Sequence, residues 1–318
     1  MSGHIVSVNV SPGKGTSKTP QAAVEVDALG VVGDAHAGIG HRQVSLLAQE
    51  SIDGFAARSG RTYRPGDFGE NVTTAGLDLA GVCLRDRLTV ASLCLEVTQI
   101  GKTCHGDGCA IFREVGKCIM PKEGVFCRVL RGGPLRPGDP IELVQGFLSV
   151  LVITVSDRAS RGEYADRSGP AVVAALREHL GQRRWRLAVR TQVVPDESEP
   201  LRSAVESAVA AKVDVLFTTG GTGIGPRDIT PETIRPLLDK ELPGIMEYIR
   251  VRHGERLPSA LLSRGVAGTR GQTLIFTLPG SPSGAREYVA EILRPLEHAL
   301  AMLASVDCHE PPGNPPAS

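Results

Sequence analysis

From Leu148 onward the chain alternates between two kinds of hydrophobic pattern, and that alternation constrains the fold more than any other feature. The apolar run Leu148–Val155 is followed by a helical stripe of Val172, Val173, Leu176 and Leu180. The run Leu187–Val194 is followed by a stripe of Leu201, Val205, Ala208 and Val209, and then by the run 213–218. Short apolar runs read as buried strands, and a stripe of period 3.6 reads as one face of a helix. A β-α-β-α-β order implies a mostly parallel sheet covered by helices, because parallel neighbours need a long, right-handed crossover. The first helix is expected over 169–180, with Pro170 in its first turn, where a missing N–H does no harm. A later run, Thr273–Leu278, precedes a long helix with Val289, Ile292, Leu293, Leu296, Leu300 and Leu303 on one face. Pro295 inside that helix predicts a kink. Ligands of such sheets bind beyond the carboxyl ends of the strands, so the segments directly after strands carry the functional information.

The first half reads differently. Short β-like runs at 5–10, 44–47, 88–93, 95–100, 125–130 and 141–144 are separated by Gly- and Pro-rich punctuation, with one helix expected near 49–58. Frequent short strands favour a closed or strongly curved β-rich, barrel-like domain. A chain of 318 residues exceeds what one core usually serves. The turn-rich stretch 131–147 is the expected boundary, which gives domains at 1–146 and 147–305. The Pro-rich, apolar-poor tail 306–318 is expected to be disordered.

Thirty-five basic and 35 acidic residues cancel, so no global field favours nucleic acid or an anionic membrane. No apolar run approaches the ~20 residues that span a bilayer. The segment MSGHIVSVNV lacks the features of a secretory signal, so a cytoplasmic location is expected. Seven cysteines, an odd number, read as thiols more readily than as a disulfide framework.

The third strand runs into Gly220-Gly221-Thr222-Gly223-Ile224-Gly225-Pro226-Arg227-Asp228-Ile229-Thr230-Pro231-Glu232. A glycine-dense loop after a strand exposes backbone N–H groups with no side chains in the way, the geometry that cradles an anion. A purely structural turn is the plainer alternative. Gly-Lys-Ser/Thr and GxGxxG are both missing, so neither a P-loop nor a dinucleotide fingerprint explains it. Thr230 and Pro231 read as an N-cap and first helical position, which would bring a positive helix end close by. Topology sends Ser156-Asp157-Arg158, Pro195-Asp196-Glu197 and Pro279-Gly280-Ser281-Pro282 to the same rim. Asp196 and Asp228 are candidates to hold a Mg²⁺ bridging phosphate oxygens, with capping of a helix or turn as the alternative for each.

The segments VSDRAS, VPDE, TTGGTGIGPRDITPE, PGIMEYIR, ALLSRGVAG and LPGSPSG, in this order, resemble the molybdopterin adenylyltransferase family of the MogA/MoaB type, over about 148–303. The resemblance implies transfer of AMP from Mg-ATP to the terminal phosphate of molybdopterin, with release of pyrophosphate. By the matching motifs Asp196 and Asp228 are the functional acids. Gly220, Gly221, Thr222 and Gly223 are the ligand-binding loop. Ser156, Asp157, Thr230, Glu232, Ser263, Arg264, Pro279, Gly280 and Ser281 line the pocket. Glu247 lies in a matched segment, with a solvated helix charge as its alternative reading. The resemblance also implies a homotrimer or higher homo-oligomer.

In the first half, GDAHAG at 33–38, HRQVSLL at 41–47, GDFGENV at 66–72 and IGKTCH at 100–105 resemble the MOSC domain, over about 4–144. Cys104 matches that family's characteristic cysteine, which implies sulfur handling or contact with the molybdenum cofactor. A buried inert thiol is the alternative. Cys104, His105, Cys109, Cys118 and Cys127 read otherwise as a zinc site, although they lack the repeated close Cys pairs of structural zinc. His36, His41 and Asp34 are a further candidate metal set, with hydrogen bonding within a turn as the alternative. Related domains often place Gly before the Asp that precedes the strand near Leu88; here it is Arg85. Together the halves read as a fusion acting on one pterin cofactor, with ATP and molybdopterin as small-molecule substrates and other molybdenum-cofactor enzymes as partners. The alternative is a non-catalytic carrier or scaffold.

Overall fold

The structure, a computed structural model, describes residues 2–103 and 118–306. Two compact units are built on Met1–Gly146 and Phe147–Ser305. Residues 307–318, which hold most of the tail expected to be disordered, lie outside the described residues.

The first unit contains β1 (Ser2–Val10), β2 (Thr19–Gln21), β3 (Val24–Asp27), β4 (Gly30–Val31), β5 (Val44–Ala48), β6 (Val72–Ala75), β7 (Arg87–Val90), β8 (Leu93–Ile100), β9 (Val125–Arg131), β10 (Gly133–Leu135) and β11 (Pro140–Val144). Strands run β11-β7-β8-β9-β5-β6-β1-β2, and β11 also pairs with β1, so the sheet closes into a barrel with β2 attached outside the ring. Closure removes the free edges an open sheet of short strands would expose. The interior holds Ile5, Val8, Val44, Leu46, Leu88, Leu93, Leu95, Val125 and Ile141. Helix α1 (Gln49–Ser59) ends at Gly60, whose φ of 66° suits a left-handed cap, and packs Ile52 with Phe68, Met120 and Phe126. The short helix α2 (Met120–Glu123) precedes β9.

The runs expected at 88–93 and 95–100 are one hairpin, turning at Ala91, whose φ is 47°, so Leu93 opens β8 rather than closing β7. Arg85 also has positive φ, 68°. The next residue, Asp86, accepts N–H bonds from Cys83 (2.8 Å) and Gly146 (2.9 Å) and fixes that geometry. A left-handed non-glycine residue costs roughly 1–2 kcal/mol. Arg85→Gly is expected to raise stability by about 0.5–1 kcal/mol, read as a higher denaturation midpoint in urea; an unchanged or lower midpoint would count against strain at this turn.

The second unit contains β12 (Leu148–Val155), α3 (Asp157–Ser160), α4 (Ser168–Gly181), β13 (Leu187–Val194), α5 (Ser198–Ala210), β14 (Val215–Thr219), α6 (Thr230–Ile234), β15 (Lys240–Glu241), α7 (Pro243–Gly254), β16 (Ala267–Arg270), β17 (Thr273–Leu278) and α8 (Pro282–Leu303). Sheet order is β13-β12-β14-β17-β16-β15. The first four strands are mutually parallel, and β16 and β15 join antiparallel. One face packs Val150, Val152, Phe217 and Phe276 against Val172 and Leu176 of α4 and Val289, Ile292 and Leu296 of α8. The other packs Leu151, Ile153, Leu216 and Ile275 against Leu201 and Val205 of α5. The third strand starts at Val215 rather than at 213, because Val213 N–H donates to Ala208 O and closes the end of α5. Helix α8 runs on through Pro295.

In register, Val155 faces Val194, Thr154 faces Thr219, and Thr219 faces Leu278. The four parallel strands therefore end level, and the segments that follow them leave from one rim.

Candidate functional site

Asp157 and Asp196 lock the first two of these segments together. Asp157 N–H donates to Asp196 Oδ2 and Asp196 N–H donates to Asp157 Oδ1, each at 2.9 Å. Ser156 N–H donates to Val194 O, and its hydroxyl accepts from Ala159 N–H as the cap of α3. The glycine loop joins through the middle of the sheet: Gly220 N–H donates to Leu278 O at 3.1 Å, and Thr219 Oγ1 donates to Pro279 O at 2.8 Å. Gly280 packs on Gly220, where an added Cβ would stand 3.3 Å from its Cα. Ser281 accepts from Gly284 N–H and caps α8.

The loop folds back on itself. Thr230 Oγ1 donates to Gly220 O (2.9 Å) and Thr230 N–H to Gly221 O (3.0 Å). Gly220 and Gly221 have φ of 108° and 62°. Asp228 Oδ2 accepts Gly225 N–H at 2.7 Å, and a Cβ on Gly223 would come within 2.7 Å of that carboxylate. Arg264 straps the loop down: Nε donates to Gly223 O (2.6 Å), Nη2 to Asp228 O (2.7 Å), and Nη1 pairs with Glu232. Thr222, itself buried, accepts Arg264 N–H through its carbonyl. Ser263 Oγ is buried without a hydrogen-bond partner.

Thr230 is not the N-cap expected of it. Ile229 holds that place in a helical conformation, Thr230 is already helical, and its hydroxyl is spent on Gly220. The helix has five residues, too few for an aligned dipole of consequence, so α6 brings no positive helix end to the glycine loop. Glu247 is exposed on α7, in keeping with a solvated charge. Asp196 and Asp228 share no hydrogen bond; the link between them runs from Asp196 to Asp157, then to Arg227 by an ion pair, then to the adjacent Asp228. Arg227 had no role assigned from sequence, and its only signal there is adjacency to Asp228. The Asp157 carboxyl lies below its ordinary range, first because Asp196 N–H bonds it, against some desolvation, and then because of Arg227. Among the described residues no cluster of three or more His, Cys, Asp or Glu is arranged to hold a metal.

In the first unit Cys104, His105 and Cys109 lie outside the described residues. Cys127 sits in the barrel core, where burial pushes its thiol well above the usual range. Asp34 is committed to hydrogen bonding: Oδ2 accepts Lys18 Nζ (2.6 Å) and Ser11 N–H (3.1 Å), and Oδ1 accepts from the backbone and ring of His36. Lys18 and Asp34 side chains are both fully buried. Burial opposes charge on Asp34, but the His36 and Lys18 bonds outweigh it and hold its carboxyl below the usual range. His41 pairs with Gln99 at 2.9 Å.

Glu70 is fully buried, with Oε1 accepting Gly66 N–H (2.6 Å) and Thr73 Oγ1 (2.9 Å) and Oε2 without a partner. Burial raises its pKa against those bonds. A carboxyl raised in the folded state binds protons more tightly there than when unfolded. Its contribution is therefore complete below the unfolded value of about 4.3 and is lost as pH climbs toward the folded value. Glu70→Gln removes that loss. Relative to the parent, the variant is expected to gain stability as pH rises above about 4.3, by up to ~1.4 kcal/mol per pH unit. Denaturation midpoints at pH 4, 6 and 8 check this, and parallel curves for the two proteins would count against a Glu70 carboxyl raised by burial.

The family profile described as a probable molybdopterin binding domain matches residues 151–298, and that of the MOSC domain matches residues 33–142. A protein named molybdopterin adenylyltransferase from Helicobacter pylori is 36% identical over 157 residues, covering 49% of this chain and 88% of that protein. One of the same name from Pyrococcus furiosus is 40% identical over 157 residues, 46% of this chain and 89% of that one. A Dictyostelium discoideum protein named gephyrin is 41% identical over 161 residues, but the chain spans only 22% of its length. Among solved structures, the molybdopterin biosynthesis Mog protein from Mycobacterium ulcerans is 40% identical and covers 49% of this chain and 98% of its own, with a TM-score of 0.45.

Proposed function

Through its second unit the chain belongs to the molybdopterin adenylyltransferase family, and from that premise we propose that this unit transfers AMP from Mg-ATP to molybdopterin. A terminal phosphate oxygen of molybdopterin attacks the α-phosphorus, the bond to the β-phosphate oxygen breaks, and pyrophosphate leaves. The observation that carries the reading is that the loops after β12 and β13 bond to each other, those after β14 and β17 bond to each other, and the Arg227–Asp157 ion pair joins the two pairs at one rim. Nucleotidyl transfer asks for positioning and charge neutralisation rather than a protein nucleophile, and a rim of backbone donors and carboxylates supplies both.

The roles divide by chemistry. Gly220, Gly221 and Gly223, with the buried Thr222 between them, offer a backbone cradle for phosphate, which a Cβ at Gly223 would obstruct beside Asp228. Asp196 keeps Oδ1 uncommitted and Asp228 likewise, so each has one carboxylate oxygen to offer Mg²⁺, whose other ligands would be phosphate oxygens and waters. Ser156, Asp157, Thr230, Glu232, Ser263, Arg264, Pro279, Gly280 and Ser281 shape and brace the pocket. Mg²⁺ when bound neutralises phosphate charge. The domain limits 1–146 and 147–305, a cytoplasmic location and a homotrimeric or larger assembly belong to the same reading.

The MOSC unit binds the molybdenum cofactor or handles its sulfur, with Cys104 as the thiol concerned, and tethering it to the transferase raises the effective concentration of a shared pterin. The test is pyrophosphate release by the full chain and by residues 147–305, with ATP, Mg²⁺ and purified molybdopterin. Release that requires all three is expected. Pterin binding without ATP affinity or turnover would replace the enzyme with a carrier.

A further inference from the structure

We propose that Arg227 is a phosphate-binding and positioning group of the transfer site, whose guanidinium exchanges Asp157 for the nucleotide phosphates and thereby couples nucleotide binding to divalent-ion binding. This rests on the adenylyl-transfer reading of the second unit.

Among the described residues of the bonded rim loops, Arg158, Arg161 and Arg264 are already engaged. Arg264 makes two carbonyl bonds and an ion pair, and leaving them would release the glycine loop. Arg158 lies over the Tyr164 ring, 4.8 Å from its centroid, and Arg161 is bonded to Glu163 at 2.7 Å. Arg227 has one partner, Asp157, and its side chain is 61% exposed. Its backbone is fixed in the turn closed by Asp228 N–H to Gly225 O (3.0 Å) and Gly225 N–H to Asp228 Oδ2, so only the side chain has to move. Asp157 does not depend on Arg227 for its place, because the reciprocal bonds with Asp196 hold it.

That arrangement has an electrostatic consequence. While the guanidinium sits on Asp157, the pair is neutral and Asp196 and Asp228 are the carboxylates left to the ion. A planar guanidinium prefers the doubly charged, bidentate surface of a phosphate to one exposed carboxylate. Once it turns to the phosphates, Asp157 Oδ2 is released next to Asp196, and a third carboxylate joins Asp196 and Asp228 in facing the ion. Phosphate and divalent ion then each favour the binding of the other, and the coupling is reciprocal.

The experiment uses the full chain as wild type, Arg227→Gln, Arg227→Lys and Asp157→Asn. Mn²⁺ alone is titrated by electron paramagnetic resonance, and α,β-methylene-ATP by calorimetry with and without Mn²⁺. Arg227→Gln is expected to bind Mn²⁺ alone about 5-fold tighter, to bind the analogue roughly 10-fold weaker, and to lose most of the mutual enhancement. Arg227→Lys should retain part of it. Asp157→Asn should move the other way, with the analogue tighter in the absence of Mn²⁺ and Mn²⁺ weaker. If Arg227→Gln leaves Mn²⁺ and analogue affinities at wild-type values, or Asp157→Asn fails to tighten the analogue, the assignment is overturned while adenylyl transfer stands. A wild-type chain that neither binds the analogue nor releases pyrophosphate overturns both.

Discussion

Asp196→Asn is expected to lower pyrophosphate release by about two to three orders of magnitude while shifting the unfolding temperature by no more than about 2 °C. The two halves of that expectation come from different atoms. Asparagine keeps an oxygen to accept Asp157 N–H, and the backbone N–H of residue 196 still donates to Asp157 Oδ1, so the clasp between the first two loops survives. What disappears is the negative charge on the oxygen that the clasp leaves unused. A reaction that depends on that charge fails in a folded protein. Steady-state rates of pyrophosphate release beside thermal unfolding curves separate the two, and wild-type turnover in the variant would remove Asp196 from the chemistry. Asp228→Asn is built the same way, because asparagine can still accept Gly225 N–H.

How much of this was readable beforehand depended on the range of the interaction. Leu187–Val194 is a strand at the residues its apolar pattern marks, because a run bounded by polar turns needs only local information. Strands of two to four residues, such as β3, β4 and β10, are too short to show a period. The convergence of the four rim loops followed from topology alone. The Asp157–Asp196 clasp did not, since it joins residues 39 apart through the register of β12 on β13. Arg227 was hidden for the same reason, its partner lying 70 residues away. Lys18 was hidden by its type: lysine is almost never fully buried unless paired, and nothing near it in sequence announces Asp34. Thr230 misled because Thr-Pro is a common way to start a helix, whereas here the hydroxyl serves the glycine loop.

Gly220→Ala is expected to destabilise the second unit by roughly 3 kcal/mol or more, which in a domain of this size lowers its unfolding temperature by about 6–12 °C. Two independent obstacles act at this residue. Its φ of 108° lies in a region closed to residues with a Cβ, and a Cβ built there overlaps the carbonyl oxygen of Val155. That oxygen cannot retreat, because β12 is held by β13 on one side and β14 on the other. Gly221 is different: its added Cβ would meet Thr230 Oγ1, the end of a side chain, so Gly221→Ala should cost less. Gly244, near the start of α7, has open space around it, and alanine there should be neutral or stabilising by up to ~1 kcal/mol. The order Gly220, Gly221, Gly244 is therefore the measurement, taken from thermal unfolding of the three variants. If Gly220→Ala melts with the parent, the loop is not seated on the end of β12. The phosphate cradle would then have no fixed position relative to the Asp157–Asp196 clasp, and the rim would not be one site.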